Sequence, residues 1–141
     1  MKVVIDTCVV LDALQNREPF YEKAQELILH MTELEFTGVL TAKSITDIYY
    51  LLRKTLHNDL AVRSSLRKLY TIFDVVDTFA NDCELALYSE TADYEDAVMI
   101  ETAKRIGADC IVTRNQKDYA KSEISVYSPE EFLEMLNDEQ T

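Results

Sequence analysis

The sequence predicts an α/β protein, a three-layer α/β/α sandwich around a central parallel sheet, and three observations carry that expectation. Short, unbroken apolar runs such as Val3-Val4-Ile5 suit strands buried on both faces, as strands of a parallel sheet are. Segments of helical periodicity separate those runs, in the alternation that crossover connections require. At 141 residues and 48% apolar content, the chain has the length of one domain and can bury roughly 70% of the surface it exposes when unfolded.

Residues 2–5 are the first strand expected. The pattern turns helical over 8–15, and Asn16-Arg17-Glu18-Pro19 breaks it before a second helix over 20–33. Residues 36–41 form the second strand candidate, followed by helices over 44–57 and 59–70. The third strand is expected at 73–76. Helical patterning resumes near Asp82, and a well-marked helix over 94–106 is closed by Gly107 as its cap. Residues 108–113, ADCIVT, make a fourth strand and 124–127 a fifth. The last helix has a full start signal, with Ser128 as N-cap, Pro129 at the first helical position and Glu131 three residues after the cap. One domain over residues 1–136 with a short polar tail at 137–141 follows.

Composition narrows the function classes. With 26 acidic residues against 14 Lys and Arg, the formal charge is -12, which argues against broad affinity for nucleic acid or anionic membrane. No apolar stretch is long enough to span a bilayer and no basic leader opens the chain, so a soluble cytoplasmic protein is expected, with no membrane partner. Cys8, Cys83 and Cys110 match neither a disulfide framework nor a zinc site and are expected to be reduced. His30 and His57 read as surface or satisfied helix residues.

The acids are the informative feature. In such a fold ligands bind beyond the carboxyl ends of the strands. Asp6 ends the first strand, and Asp47 is placed in the first turn of the helix after the second. Asp93 and Asp96 open the helix before the fourth strand, whose own carboxyl end carries Thr113, Arg114 and Asn115. Asp96 shares the sheet-packing face of its helix with Ile100 and Ala103. Singly, each acid reads as a cap or a dipole partner: Asp6 as an N-cap, Asp47 as the third residue of a capping box opened by Ser44, Asp93 and Asp96 at a helix start. Together, like charges crowded at one edge repel unless a cation lies among them. Oxygen donors without histidine favour Mg2+ or Mn2+ over Zn2+. Such a cluster, with no nucleophilic side chain beside a base, suits displacement at phosphorus by water activated at a divalent ion.

The ordered set VVIDTCVVLDAL, SITDIYYLLRK, DYEDAVMIETAKRIGADCIVTRN and KDY resembles the PIN-domain family of ribonucleases, many of which are toxin halves of bacterial toxin-antitoxin pairs. The resemblance implies strand order 3-2-1-4-5, a Mg2+- or Mn2+-dependent endoribonuclease, an RNA substrate, an antitoxin partner, and acids carried by Asp6, Asp47 and Asp96, with Asp93 an additional one. The family's fourth acidic position matches Asn115 here, which keeps an oxygen ligand but loses a charge; Asp118 is the nearest compensating acid. That departure leaves a second reading, a PIN-fold protein that binds RNA or a partner with weak or no cleavage. Thr7 and Thr113 are candidates to orient Asp6 or a phosphate. Arg114 is the favoured phosphate contact, and Arg53, Lys54, Arg63, Arg67 and Lys68 form a candidate basic strip. The resemblance and the Tyr-rich helix IYYLL together point to a homodimer. Haloacid dehalogenase-like phosphatases also place Asp after a first strand, but they need a second Asp where this chain has Cys8. A receiver-like signalling domain needs a lysine where it has Ser128.

Overall fold

The computed structural model describes residues 1–91 and 93–139. Its chain runs β1 (Lys2–Ile5), α1 (Thr7–Leu14), α2 (Tyr21–Thr32), β2 (Thr37–Thr41), α3 (Ala42–Leu56), α4 (Asp59–Ile72), β3 (Asp74–Val76), α5 (Ala80–Ala86), α6 (Tyr94–Arg105), β4 (Cys110–Val112), a 3-10 turn (Gln116–Tyr119), β5 (Ser125–Tyr127) and α7 (Pro129–Glu139). The five strands are all parallel, in the order β3-β2-β1-β4-β5. The expected fold class and strand order are therefore those observed.

β1 is the central strand, and its alternation separates the layers. Val3 and Ile5 point to one face, where they pack with Leu40, Cys110 and Val112 against Val9, Val10, Leu27, Ile48 and Phe132 of the helices there. Val4 points to the other, with Val39 and Ile111, against Met99, Ile100 and Ala103 of α6. Behind α6 lies α5, joined to it through Ala86, Ala97 and Val98. A strand with no exposed face reads as a continuous apolar run, which is why its period was not two in the sequence.

The helix ends follow their chemistry. Gly107 sits just past α6 at φ 69, and its N–H bonds Lys104 O at 3.2 Å, the left-handed turn glycine supplies without strain. Glu131 N–H bonds Ser128 Oγ at 3.1 Å, so the expected cap of α7 forms. α3 begins two residues earlier than its pattern suggested, because Thr41 is its N-cap: Thr41 Oγ1 accepts from Ser44 N–H at 3.1 Å. Asp47 is consequently in the second turn and belongs to no capping box. The 3-10 turn was not anticipated. Asn137, expected to open a polar tail, instead continues α7, while residues 140 and 141 lie outside the described residues. Among the described residues no helix is long and apolar enough to cross a membrane.

Candidate functional site

Asp6 is placed by backbone before its side chain acts. Its N–H continues the parallel ladder to Val112 O at 2.9 Å, and its carbonyl accepts from Val9 N–H at 3.1 Å to start α1. Although Asp6 holds the N-cap position of α1, its carboxylate makes no cap bond. It turns instead to Thr113 at the end of β4, whose hydroxyl donates to Asp6 Oδ2 at 2.7 Å. The same hydroxyl accepts from Asn115 N–H at 3.1 Å. Cys8 Sγ donates to Asp6 Oδ2 at 3.6 Å. Burial and the Asp6 charge push the Cys8 thiol up to about 12, so it is a weak donor here and no nucleophile.

Asp96 approaches from α6 across the sheet. Tyr119, in the 3-10 turn and only 2% exposed, joins the two acids: its hydroxyl lies 3.0 Å from Asp96 Oδ1 and 3.4 Å from Asp6 Oδ2. Burial raises the pKa of Asp6 above the ordinary carboxylate value against the hydrogen bonds of Thr113, Cys8 and Tyr119. Burial and then the charge of Asp6 push Asp96 up to about 7. Burial is the leading cause of both shifts, and at Asp96 the neighbouring Asp6 charge adds to it, so a cation between the two carboxylates would relieve the site.

Around this pair opens a cleft of about 460 Å3, lined among others by Thr7, Asp47, Asp93, Glu95, Asn115 and Asp118. Topology thus brings Asp6, Asp47, Asp93, Asp96 and Asn115 to one edge, but not as one tight cluster. Asp93 is the N-cap of α6, and its Oδ1 accepts from Asp96 N–H at 3.1 Å. Asp47 Oδ2 is held by Lys43 Nζ at 2.6 Å, and the same ammonium lies 3.7 Å from Glu95 Oε1. Desolvation pulls the Lys43 pKa down, but hydrogen bonding to Asp47 and the two carboxylate charges outweigh it and raise it overall. Among the described residues, the trio of acid and histidine ligand atoms that comes within 4.8 Å of one another is His30, Glu33 and Glu35, where α2 leads into β2 at the opposite edge.

The expected basic contacts are placed away from the cleft. Arg114 is committed elsewhere: its Nε donates to Asp12 Oδ2 at 2.7 Å, its Nη2 to Oδ1 at 3.3 Å, and its guanidinium lies 4.3 Å over the Phe20 ring. Asp12 is 1% exposed, and a buried carboxylate left without that partner would be strongly destabilising. Arg114 is therefore spent on α1 and does not line the cleft. Arg53 and Lys54 lie in the last turn of α3, where cations complement the helix dipole, and they too are outside the cleft lining. Arg63 pairs with Asp59 at 2.7 Å, and with Arg67 it lines a separate shallow groove.

Sequence reasoning missed Tyr119, Lys43, Glu95 and Asp12. Tyr119 had a signal, since it ends the KDY segment that follows Asn115. Lys43 had a fainter one, a cation beside a helix start. The donor set fits a hard divalent cation: Asp6 and Asp96 converge on one hydroxyl, with carbonyl and carboxylate oxygens of Asn115, Asp93 and Asp118 along the same cleft.

The family model described as PIN domain matches residues 2–117. Among curated protein sequences there is no significant match. Solved structures of similar fold include a toxin-antitoxin complex from Klebsiella pneumoniae, 20% identical, with TM-score 0.66 and covering 90% of this chain and 97% of that one. VapBC2 from Rickettsia felis, bound to a DNA fragment from its promoter, is 16% identical with TM-score 0.63, over 91% and 98% of the two chains. The Mycobacterium tuberculosis toxin VapC20, which cleaves the sarcin-ricin loop, is 13% identical with TM-score 0.66, over 84% and 94%.

Proposed function

Because the chain belongs to the PIN-domain family, we propose that it is a Mg2+- or Mn2+-dependent endoribonuclease, the toxin of a toxin-antitoxin pair acting in the cytoplasm. The observation that carries this reading is the convergence of Asp6 and Asp96, from two elements, on the buried Tyr119 hydroxyl. Asp6 and Asp96 would hold the ion, with Asp47 and Asp93 at the margin of the same cleft. A divalent ion bound there supplies Lewis acidity, which lowers the pKa of water and offsets charge on phosphate oxygens.

The chain's own groups do the rest. Thr113 fixes the Asp6 carboxylate from one side and Tyr119 from another, so that its orientation does not depend on the ion. Asn115 presents an amide to the cleft, and its NH2 group donates to phosphate as an aspartate there cannot. The apolar wall of Leu11, Leu51, Val98 and Met99 excludes water and strengthens each of these contacts.

The toxin-antitoxin complexes among the fold neighbours support a protein antitoxin as partner. Exposed Tyr50, Leu60 and Tyr70 on α3 and α4 support a further apolar contact there, with a second copy or the antitoxin. The non-cleaving alternative rests on Asn115 alone.

Incubation with defined transfer, ribosomal and messenger RNA pools tests the reading. Cleavage should require Mg2+ or Mn2+ and vanish in chelator, and Asp6→Asn and Asp96→Asn should each abolish it while leaving the circular dichroism spectrum unchanged. Wild-type rates in purified Asp6→Asn protein would end the assignment.

A further inference from the structure

The cleft carries an internal cation that the family reading does not use. Lys43 is the second residue of α3, and its ammonium projects into the acidic lining between Asp47 of its own helix and Glu95 of α6. As a helix device it is badly placed. A cation in the first turn opposes the helix dipole, and a lysine four residues before an aspartate is the weaker order of such a pair. Its side chain is only 31% exposed, so it gives up hydration as well. Six carboxylates line the cleft, those of Asp6, Asp47, Asp93, Glu95, Asp96 and Asp118, against two cations, Lys43 and Arg17. Arg17 donates through Nε to Gln15 and lies 4.0 Å from Asp12, which leaves Lys43 as the cation directed at the site's carboxylates.

Four of these acids thus divide into two pairs. Asp6 and Asp96 are tied together by Tyr119, whereas Asp47 and Glu95 are gathered on Lys43. A lysine among carboxylates does what a metal ion does, as a point charge with three donors and no acceptor. The geometry points to Lys43 as the site's second cation: its ammonium stands in place of a second divalent ion and contacts a non-bridging oxygen of the scissile phosphate. Asn115 agrees with this, since a site that holds one metal ion and one ammonium needs fewer negative ligands than a site that holds two metal ions. The inference rests on the nuclease reading above and adds to it a phosphate-contacting catalytic residue and a metal stoichiometry.

Calorimetric titration of the full chain with Mn2+ separates the two. Wild type should take up one ion. Lys43→Met, which keeps the length of the side chain and removes its charge, frees Asp47 and Glu95 and should take up two. Lys43→Arg should stay at one. In parallel, kcat/KM for RNA should fall about 100-fold in Lys43→Met, the size seen when one charge-stabilising donor is removed, and recover to within about tenfold in Lys43→Arg. Two ions in wild type, or one ion at unchanged affinity in Lys43→Met, would overturn the role of Lys43 while leaving the nuclease standing. No Mn2+ uptake by wild type would remove the nuclease reading, and this inference with it.

Discussion

At the scale of single residues, Tyr119 shows why a site is more than its acids. Its phenol is buried, and only its hydroxyl touches Asp6 and Asp96; Met99 Sδ lies 3.4 Å from the same atom. Tyr119→Phe keeps the ring in the apolar cluster it shares with Val4, Val39 and Ile111 and deletes that bridge. Partners behind metal ligands are worth about 10- to 100-fold in metal affinity, so Mn2+ affinity by titration should drop within that range. Stability in chelator should fall by about 1 kcal/mol, the net worth of a buried hydrogen bond. An unchanged Mn2+ affinity would show that Tyr119 only fills space. Asp6 and Asp96 were legible in the sequence because strand ends and helix faces are local facts. Tyr119 and Asp6 are 113 positions apart, and no periodicity encodes which hydroxyl comes to rest between two carboxylates. For the same reason the pairing of Arg114 was out of reach: its position beside Asn115 was visible, while its partner Asp12, 102 residues away, was not.

At the scale of elements, the sequence located every strand and helix, and its errors fell at ends and in the 3-10 turn. The start of α3 was read from Ser44 because that residue opens a capping pattern, yet Thr41 at the end of β2 was free to cap and did. Contacts between helices were beyond reach. Asp82 of α5 is 1% exposed and gathers Arg105 of α6 at 3.1 Å, Thr102 Oγ1 at 3.0 Å and Phe79 N–H at 2.9 Å, while the Arg105 guanidinium covers the Phe79 ring at 3.8 Å. Burial alone would raise the Asp82 pKa, but the hydrogen bonds of Arg105, Phe79 and Thr102 outweigh it and leave it below the ordinary 3.8. A depressed carboxylate contributes its stability above the unfolded pKa and loses it as pH falls through the folded one. Asp82→Asn should therefore cost about 3 kcal/mol at neutral pH, the lower range for breaking a buried pair, since Arg105 is partly exposed. The gap from wild type should hold down to about pH 4 and close below it. Denaturant midpoints from pH 2.5 to 7 would check this, and a gap that widened on acidification would contradict it.

At the scale of the whole molecule, net charge and cation pairing set how the protein meets its ligands. Folding gathers Asp6 and Asp96 against their mutual repulsion, so an ion that binds only the native state must stabilise it. At about 100 times Kd the gain is about 2.7 kcal/mol, which for a chain of this length raises the melting temperature by roughly 8 °C. A melt indifferent to the change from chelator to saturating Mn2+ would refute the site. The proposed RNA substrate would meet a different surface. Of the 14 Lys and Arg, Arg63, Arg105 and Arg114 are held by Asp59, Asp82 and Asp12, Lys43 by Asp47 and Lys104 by Glu101 and Glu123. Cations already paired within the fold release few counterions when a phosphate arrives. A nuclease that tracked its substrate along a basic groove, with 6 to 10 phosphate contacts, would lose roughly 1,000-fold or more in affinity between about 50 and 200 mM salt. If the proposed RNA substrate is engaged through one metal centre and a cation or two, the loss over the same range should stay below about 20-fold, since each contact contributes a slope of about 0.7 for single strands. KM measured across that range at fixed saturating Mn2+ decides the matter, and a 100-fold rise would reveal a basic track assembled from residues such as Arg53, Lys54, Arg67 and Lys68 after all.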